Sequence, residues 1–219
     1  MVRFADFDAV IFDMDGLMVD SEPVWTRSWV ISLAHEGLAI APGFMEALTG
    51  SSPKRARELT GEYYPGSAAA QRAFDEHYEV VEKLFVEEGA PKKPGLDELL
   101  SLLTSRGVPM AVASGSSRPI VEAVLGHADV LGFFSTFKTG DMGYPSKPAP
   151  DVFLAAAADL GSEPARIVVL EDSPSGIRAA AVGGFIPVMV PDIVKPDDEL
   201  RSMATVYGSL ADFAKGLAG

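Results

Sequence analysis

Ala9-Val10-Ile11-Phe12-Asp13-Met14-Asp15-Gly16 is the stretch on which the fold turns. Four consecutive apolar residues read as a short strand with neither face in water, as in a parallel sheet covered on both sides. The run stops on two aspartates one residue apart, which in extended backbone project to the same side. Glycine then lets the chain turn away. Three more apolar runs follow the same scheme, at residues 108–113 (with Pro109 suited to a strand start), 167–170 and 186–190.

Helical patterns separate these runs. Residues 95–105 put Leu96, Leu99, Leu100 and Leu103 on one face, with Gly107 as the stop. Residues 151–160 are alanine-rich between Pro150 and Gly161. Ser173-Pro174 is an N-cap followed by proline at the first helical position, opening 175–182 ahead of Gly183-Gly184. Strand–helix alternation of this kind predicts an α/β fold, a doubly wound, Rossmann-like parallel sheet.

One stretch breaks the alternation. Between residue 19 and about residue 88 there is no buried strand pattern. Trp25, Trp29 and Leu33 fall at helical spacing, residues 68–88 form a second helical pattern, and the Gly61 to Gly66 region punctuates the middle. The expected organisation is a core of residues 1–18 and 90–219 carrying an all-helical insert of residues 19–89. A length of 219 residues suits one domain with such an insert.

Composition narrows the chemistry. The chain is 47% hydrophobic and 22% charged, as in an ordinary globular protein. A formal charge of −13 argues against nucleic-acid partners, whose binding runs on clustered Lys and Arg. It also makes an anionic substrate a puzzle unless a metal ion and a few placed cations offset the repulsion. Absence of cysteine removes disulfides and thiolate chemistry. No signal peptide or spanning stretch is visible, so the expectation is a cytoplasmic protein without a membrane partner, a monomer or weak dimer.

Strand C-terminal ends form the ligand crevice of a doubly wound sheet, and four polar clusters fall at such ends or before helices. Asp13 and Asp15 suit displacement at phosphorus, one carboxylate attacking and the other protonating the leaving oxygen; taken alone, the pair fits a calcium-type loop or a solvated turn as well. Ser114-Gly115-Ser116-Ser117 offers hydroxyls and backbone N–H groups before a helix, an anion site or simply a cap. Lys147, between Pro145 and Pro148, is a candidate fixed cation or a solvated loop lysine. Glu171 and Asp172 are adjacent carboxylates that repel unless solvated or occupied by a cation such as Mg²⁺.

Taken together and in this order, the clusters resemble the haloacid-dehalogenase superfamily through nearly the whole chain. Phe12-Asp13-Met14-Asp15-Gly16-Leu17 looks like its first motif and Ala113-Ser114-Gly115 its second. Ser146-Lys147-Pro148-Ala149-Pro150-Asp151 looks like its third, and Leu170-Glu171-Asp172-Ser173-Pro174-Ser175-Gly176-Ile177 its fourth. The helical insert matches the family's small mobile cap. The resemblance implies Asp13 as nucleophile and magnesium ligand, and Asp15 as general acid/base with its carbonyl a further ligand. It implies Ser114, Gly115 and Lys147 around the phosphoryl group, and Asp172 completing the metal site with Glu171 close by or acting through water.

True dehalogenases of the superfamily lack the second aspartate of the first motif, so Asp15 favours phosphoryl transfer. The β-phosphoglucomutase branch has a histidine where Trp25 stands and an arginine near Gly50-Ser51-Ser52-Pro53, where this chain offers Lys54 and Arg55 only with a shift. Hydrolysis is therefore preferred to a mutase reaction. Asp20-Ser21-Glu22-Pro23 is similar to hexose-phosphate phosphatases. Residues 188–192 and 210–213 are similar to pseudouridine-5′-phosphatase-type relatives. The expected substrate is a small phosphorylated metabolite, a sugar phosphate or a nucleoside monophosphate. Trp25, Lys54 and Arg55 are the cap candidates for substrate contact, against helix packing for the tryptophan and a solvated face for the cations. A phospho-aspartate receiver, a signalling switch, is the reading from another class.

Overall fold

The computed structural model describes residues 2–49, 51 and 53–219. Among them the chain forms a six-stranded, fully parallel sheet of β1 (Ala9–Phe12), β2 (Met110–Ala113), β3 (Thr136–Lys138), β4 (Ile167–Glu171), β5 (Ile186–Met189) and β6 (Thr205–Val206). The spatial order is β3-β2-β1-β4-β5-β6, so the strand order reverses beside β1. This is the doubly wound arrangement expected from the alternation.

Every residue of β1, β2 and β4 is buried, which is why these three were legible as unbroken apolar runs. Pro109 stands just ahead of β2 and still lends its carbonyl to the Val10 N–H. β3 and β6 had no such signal. They are two- and three-residue edge strands, only half-buried, and Thr136-Phe137-Lys138 carries no apolar run. Short edges of this kind limit pairing with other chains.

In parallel register Phe12 lies level with both Val112 and Leu170. The next residues, Asp13, Ala113 and Glu171, therefore emerge together at the sheet's C-terminal edge, and the Asp13 N–H extends the ladder to the Leu170 carbonyl at 3.0 Å. One sheet face, with Ala9, Ile11, Ala111, Ala113, Ile167 and Val169, packs on Phe153 and Ala179. By strand alternation Asp13 and Glu171 point to that same side.

The helices of this first compact unit, residues 1–20 and 90–219, follow the sequence signals closely. The helix at Leu96–Ser105 begins after Gly95, that at Arg118–His127 has proline in its first turn, and that at Asp151–Leu160 ends on Gly161. The helix at Pro174–Val182 is capped by Ser173, whose Oγ accepts the Gly176 N–H. Asp198–Met203 and Leu210–Ala218 complete the unit.

Residues 21–89 form the second compact unit, built from α1 (Glu22–His35), α2 (Phe44–Leu48), α3 (Pro53–Tyr63) and α4 (Ala68–Glu88). Val19 and Asp20 stay with the first unit, since Val19 bridges to Lys92 and the Asp20 N–H bonds the Pro91 carbonyl. The core of the helical unit is aromatic: Trp29 packs edge-on to Phe44 and lies stacked on His77, with Leu33, Leu59 and Phe74 around them. The Gly61 to Gly66 region breaks the helical insert as expected, though Gly61 itself does not make the turn. It sits inside α3, where a glycine is tolerated at a cost of about 1 kcal/mol, and the turn comes at residues 64–66.

Candidate active site

The strand order places β1 between β2 and β4, so the residues that follow these three strands meet although they are far apart in sequence. Asp13 is buried, and its Oδ1 accepts a hydrogen bond from Lys147 Nζ at 2.5 Å. Its Oδ2 accepts no hydrogen bond among the described residues. Lys147 arrives from the loop before Asp151–Leu160. Its ammonium also donates to Glu171 Oε1 at 2.6 Å and to the Ala113 carbonyl at 3.2 Å. Three donors thus meet three acceptors.

Glu171 was expected beside the metal or acting through water. Both of its oxygens are engaged elsewhere: Oε1 by Lys147, and Oε2 by the N–H and hydroxyl of Ser173 at 2.9 and 2.8 Å. It anchors the lysine and the start of the next helix. Gly176 is what makes room for it, because a β-carbon there would lie 1.9 Å from the Glu171 carboxyl.

Asp15 meets the residues that follow β2. Its Oδ2 accepts from Ser116 Oγ at 2.8 Å and from Ser114 Oγ at 3.3 Å. Its Oδ1 is buried without a partner among the described residues. Ser114 is fully buried and in turn accepts the Ser116 N–H at 3.0 Å. Gly115, next in the chain, is exposed. The sequence pointed to the Ser114–Ser117 segment for its hydroxyls but to roles for Ser114 and Gly115 alone, leaving Ser116 without one.

Gly16 turns the chain with φ +77°, a conformation that disfavours a side chain. A β-carbon on it would meet Asp172 Oδ2 at 2.4 Å and Asp192 Oδ2 at 3.3 Å. Asp172 therefore stands directly against the first-motif loop. Asp192 is held there by Lys93 at 2.7 Å, a pairing across 99 residues that no local pattern announces.

Electrostatics set this crevice apart. Burial pushes the Asp13 carboxyl above the usual range, Lys147 opposes this, and the charges of Glu171 and Asp15 add to it. Burial raises Asp172 as well, reinforced by Glu171 and Asp13. Burial pulls the Lys147 ammonium down, but Asp13 and Glu171 outweigh it and hold the group above the ordinary lysine value. Asp172 accepts no hydrogen bond from another described side chain, and the donors of Lys147 are already engaged by Asp13, Glu171 and the Ala113 carbonyl. Such crowded oxygen donors fit a hard divalent cation. No three His, Asp or Glu side chains among the described residues form a metal cage on their own. An ion here would complete its shell with water and substrate oxygens, as Mg²⁺ commonly does.

The other three candidates belong to the helical unit. Trp25 is half-buried against the rings of His77, Tyr78 and Phe85. Arg55 is paired on its own helix with Glu58 and Glu62, at 3.2 and 2.7 Å, which matches the solvated-face reading. Lys54 is exposed. Gly50 and Ser52, part of the segment compared with the mutase loop, lie outside the described residues.

A profile of haloacid dehalogenase-like hydrolases matches residues 7–184. Fructose-1-phosphate phosphatase YqaB of Escherichia coli (strain K12) is 34% identical over 184 residues, which cover 84% of this chain and 96% of that protein. The probable pseudouridine-5'-phosphatase of Drosophila melanogaster is 32% identical over 215 residues, 93% of this chain and 90% of that one. Among solved structures, CbbY from Rhodobacter sphaeroides in complex with phosphate matches with a TM-score of 0.77 at 25% identity, over 94% of this chain and 96% of that chain. The chain belongs to the haloacid dehalogenase-like hydrolases. As a hydrolase it is an enzyme, and the receiver reading falls away. No described helix is long and apolar enough to cross a membrane.

Proposed function

We propose that this chain, a phosphoric monoester hydrolase, is a magnesium-dependent phosphatase of small phosphorylated metabolites, sugar phosphates or nucleoside monophosphates, working through a phosphorylated Asp13. The observation that carries this reading is the asymmetry of Asp13: one carboxylate oxygen is pinned by Lys147 and the other is uncommitted at the end of the central strand. The names of the two relatives, one a sugar-phosphate phosphatase and one a probable nucleotide phosphatase, support both substrate classes.

In the first step Asp13 Oδ2 attacks phosphorus, the bond from phosphorus to the ester oxygen breaks, and Asp15 gives its proton to that oxygen so that a neutral alcohol leaves. In the second step water attacks the phosphorus of the aspartyl phosphate and loses a proton to Asp15. The bond to Asp13 breaks, and inorganic phosphate departs. Lys147 and the hydroxyl of Ser114 hold the phosphoryl oxygens throughout. A magnesium ion bound by Asp13, Asp172 and the Asp15 carbonyl would supply the positive charge that lets a phosphate dianion approach these carboxylates.

The helical unit of residues 21–89, within the insert expected at 19–89, is the proposed cap. Trp25 and Lys54 are its candidate substrate contacts, and Arg55 is the weakest of the three because its guanidinium is already paired. The proposed setting is the cytoplasm, with the enzyme a monomer or weak dimer.

The test is phosphate release from a panel of sugar phosphates and nucleoside monophosphates, with magnesium and with chelator. The expected result is magnesium-dependent release, a fall of about 100- to 10,000-fold for Asp15→Asn, and no activity for Asp13→Asn. Interconversion of sugar phosphates without free phosphate would replace hydrolysis by a mutase reaction. Near-normal turnover of both variants would end the assignment.

A further inference from the structure

Asp15 has two hydroxyl donors on the same oxygen, and they are unequal. Ser116 Oγ lies 2.8 Å from Oδ2, a good charge-assisted bond, whereas Ser114 Oγ lies at 3.3 Å, beyond the usual range for two oxygens. A serine hydroxyl has one proton to donate. Under the function proposed above, on which this inference rests, Ser114 spends that proton on the phosphoryl group when substrate is bound. It then has none for Asp15, and Ser116 is the donor that remains.

Ser116 is itself firmly placed. Its N–H is held by Ser114 Oγ at 3.0 Å, and its carbonyl accepts the Gly140 N–H at 2.8 Å. It stands two residues before the helix at Arg118–His127, so its Cα has little freedom. Asp15 Oδ1, by contrast, is buried and has no partner among the described residues. One end of the carboxyl group is thus tied and the other is left for chemistry.

We propose that Ser116 is the positioning residue of Asp15: its hydroxyl fixes Oδ2 and so presents Oδ1 as the oxygen that exchanges a proton with the leaving alcohol. Without this tie the carboxyl group rotates about its side-chain bonds, and proton transfer loses its geometry while phosphoryl binding by Lys147 and Ser114 is untouched.

The leaving group gives the decisive readout. An alkyl phosphate needs a proton on its departing oxygen, whereas para-nitrophenyl phosphate releases a stabilised phenolate that does not. The parameter is kcat/KM, which ends at the first irreversible step and so excludes hydrolysis of the phospho-aspartate. For Ser116→Ala, kcat/KM is expected to fall about 10- to 100-fold on the alkyl ester and less than about 3-fold on the aryl ester. Ser116→Thr, which keeps a hydroxyl, should restore most of the alkyl activity. Ser114→Ala should fall on both esters. Equal losses of Ser116→Ala on the two esters, or no loss on either, would overturn the proposal. Inactivity of the unsubstituted enzyme on both esters with magnesium would instead overturn the phosphatase reading. A crystal structure of Ser116→Ala judges the tie independently of activity: the Asp15 carboxylate in its original orientation would overturn the proposal, and a rotated one would support it.

Discussion

Lys147 and His77 are both basic side chains taken out of water, one at the strand ends and one among the aromatic rings of the helical unit. His77 is 2% exposed, stacked on Trp29 with ring centroids 4.1 Å apart. Burial pushes it down to about 4, and the Phe74 carbonyl on Nδ1 and the charge of Asp75 only partly oppose this. Lys147 meets the same penalty, yet two carboxylates within 2.6 Å keep it charged. Desolvation acts on both; the counter-charges differ. Where neighbouring strands deliver carboxylates, a buried base remains an ion and is available for chemistry. Where a helix pair delivers rings, it becomes a neutral packing element.

The largest expected effect tests the charged side of this contrast. Lys147→Ala leaves Asp13 and Glu171 buried without their cation, and should cost roughly 3–5 kcal/mol of stability as well as phosphoryl handling. Urea unfolding followed by circular dichroism reads it, and adding Glu171→Gln should recover part of the loss. A variant as stable as the parent would mean that the lysine is not the counter-charge its contacts suggest.

The neutral side is tested by acid. Because the folded pKa of His77 lies below its unfolded value near 6.5, the unfolded chain binds the extra proton. Its contribution is therefore intact above about pH 6.5 and is lost as pH falls towards 4, by about 3 kcal/mol in all. Both tryptophans of the chain, Trp25 and Trp29, are in the helical unit, so their fluorescence during urea unfolding reports that unit alone. His77→Phe should flatten this part of the pH dependence. An unchanged slope would place the acid sensitivity elsewhere.

The smallest effect is expected at the surface. Arg55→Ala breaks ion pairs between exposed side chains, which salt screens and side-chain entropy offsets. Its unfolding midpoint should match the parent's. A raised KM at unchanged stability would raise Arg55 from the weakest of the three candidate substrate contacts.

The sequence alone determined the inner strands, the starts and stops of several core helices, and which residues are candidates for the chemistry. These are local matters: a strand buried on both faces must be apolar throughout, and proline, serine and glycine act on the backbone within a turn of where they stand. The tertiary structure decided everything that depends on strand neighbours. The short edges β3 and β6 exist because longer strands beside them offer a ladder, not because their own residues demand one. Lys147 reaches Asp13 across 134 positions, from the loop before Asp151–Leu160, and Ser116 reaches Asp15 across 101, because β2 lies beside β1. The same order brought Glu171 to the lysine. Periodicity fixes which way a side chain faces along its own strand, but which charge it meets there is set only when the strands are in register.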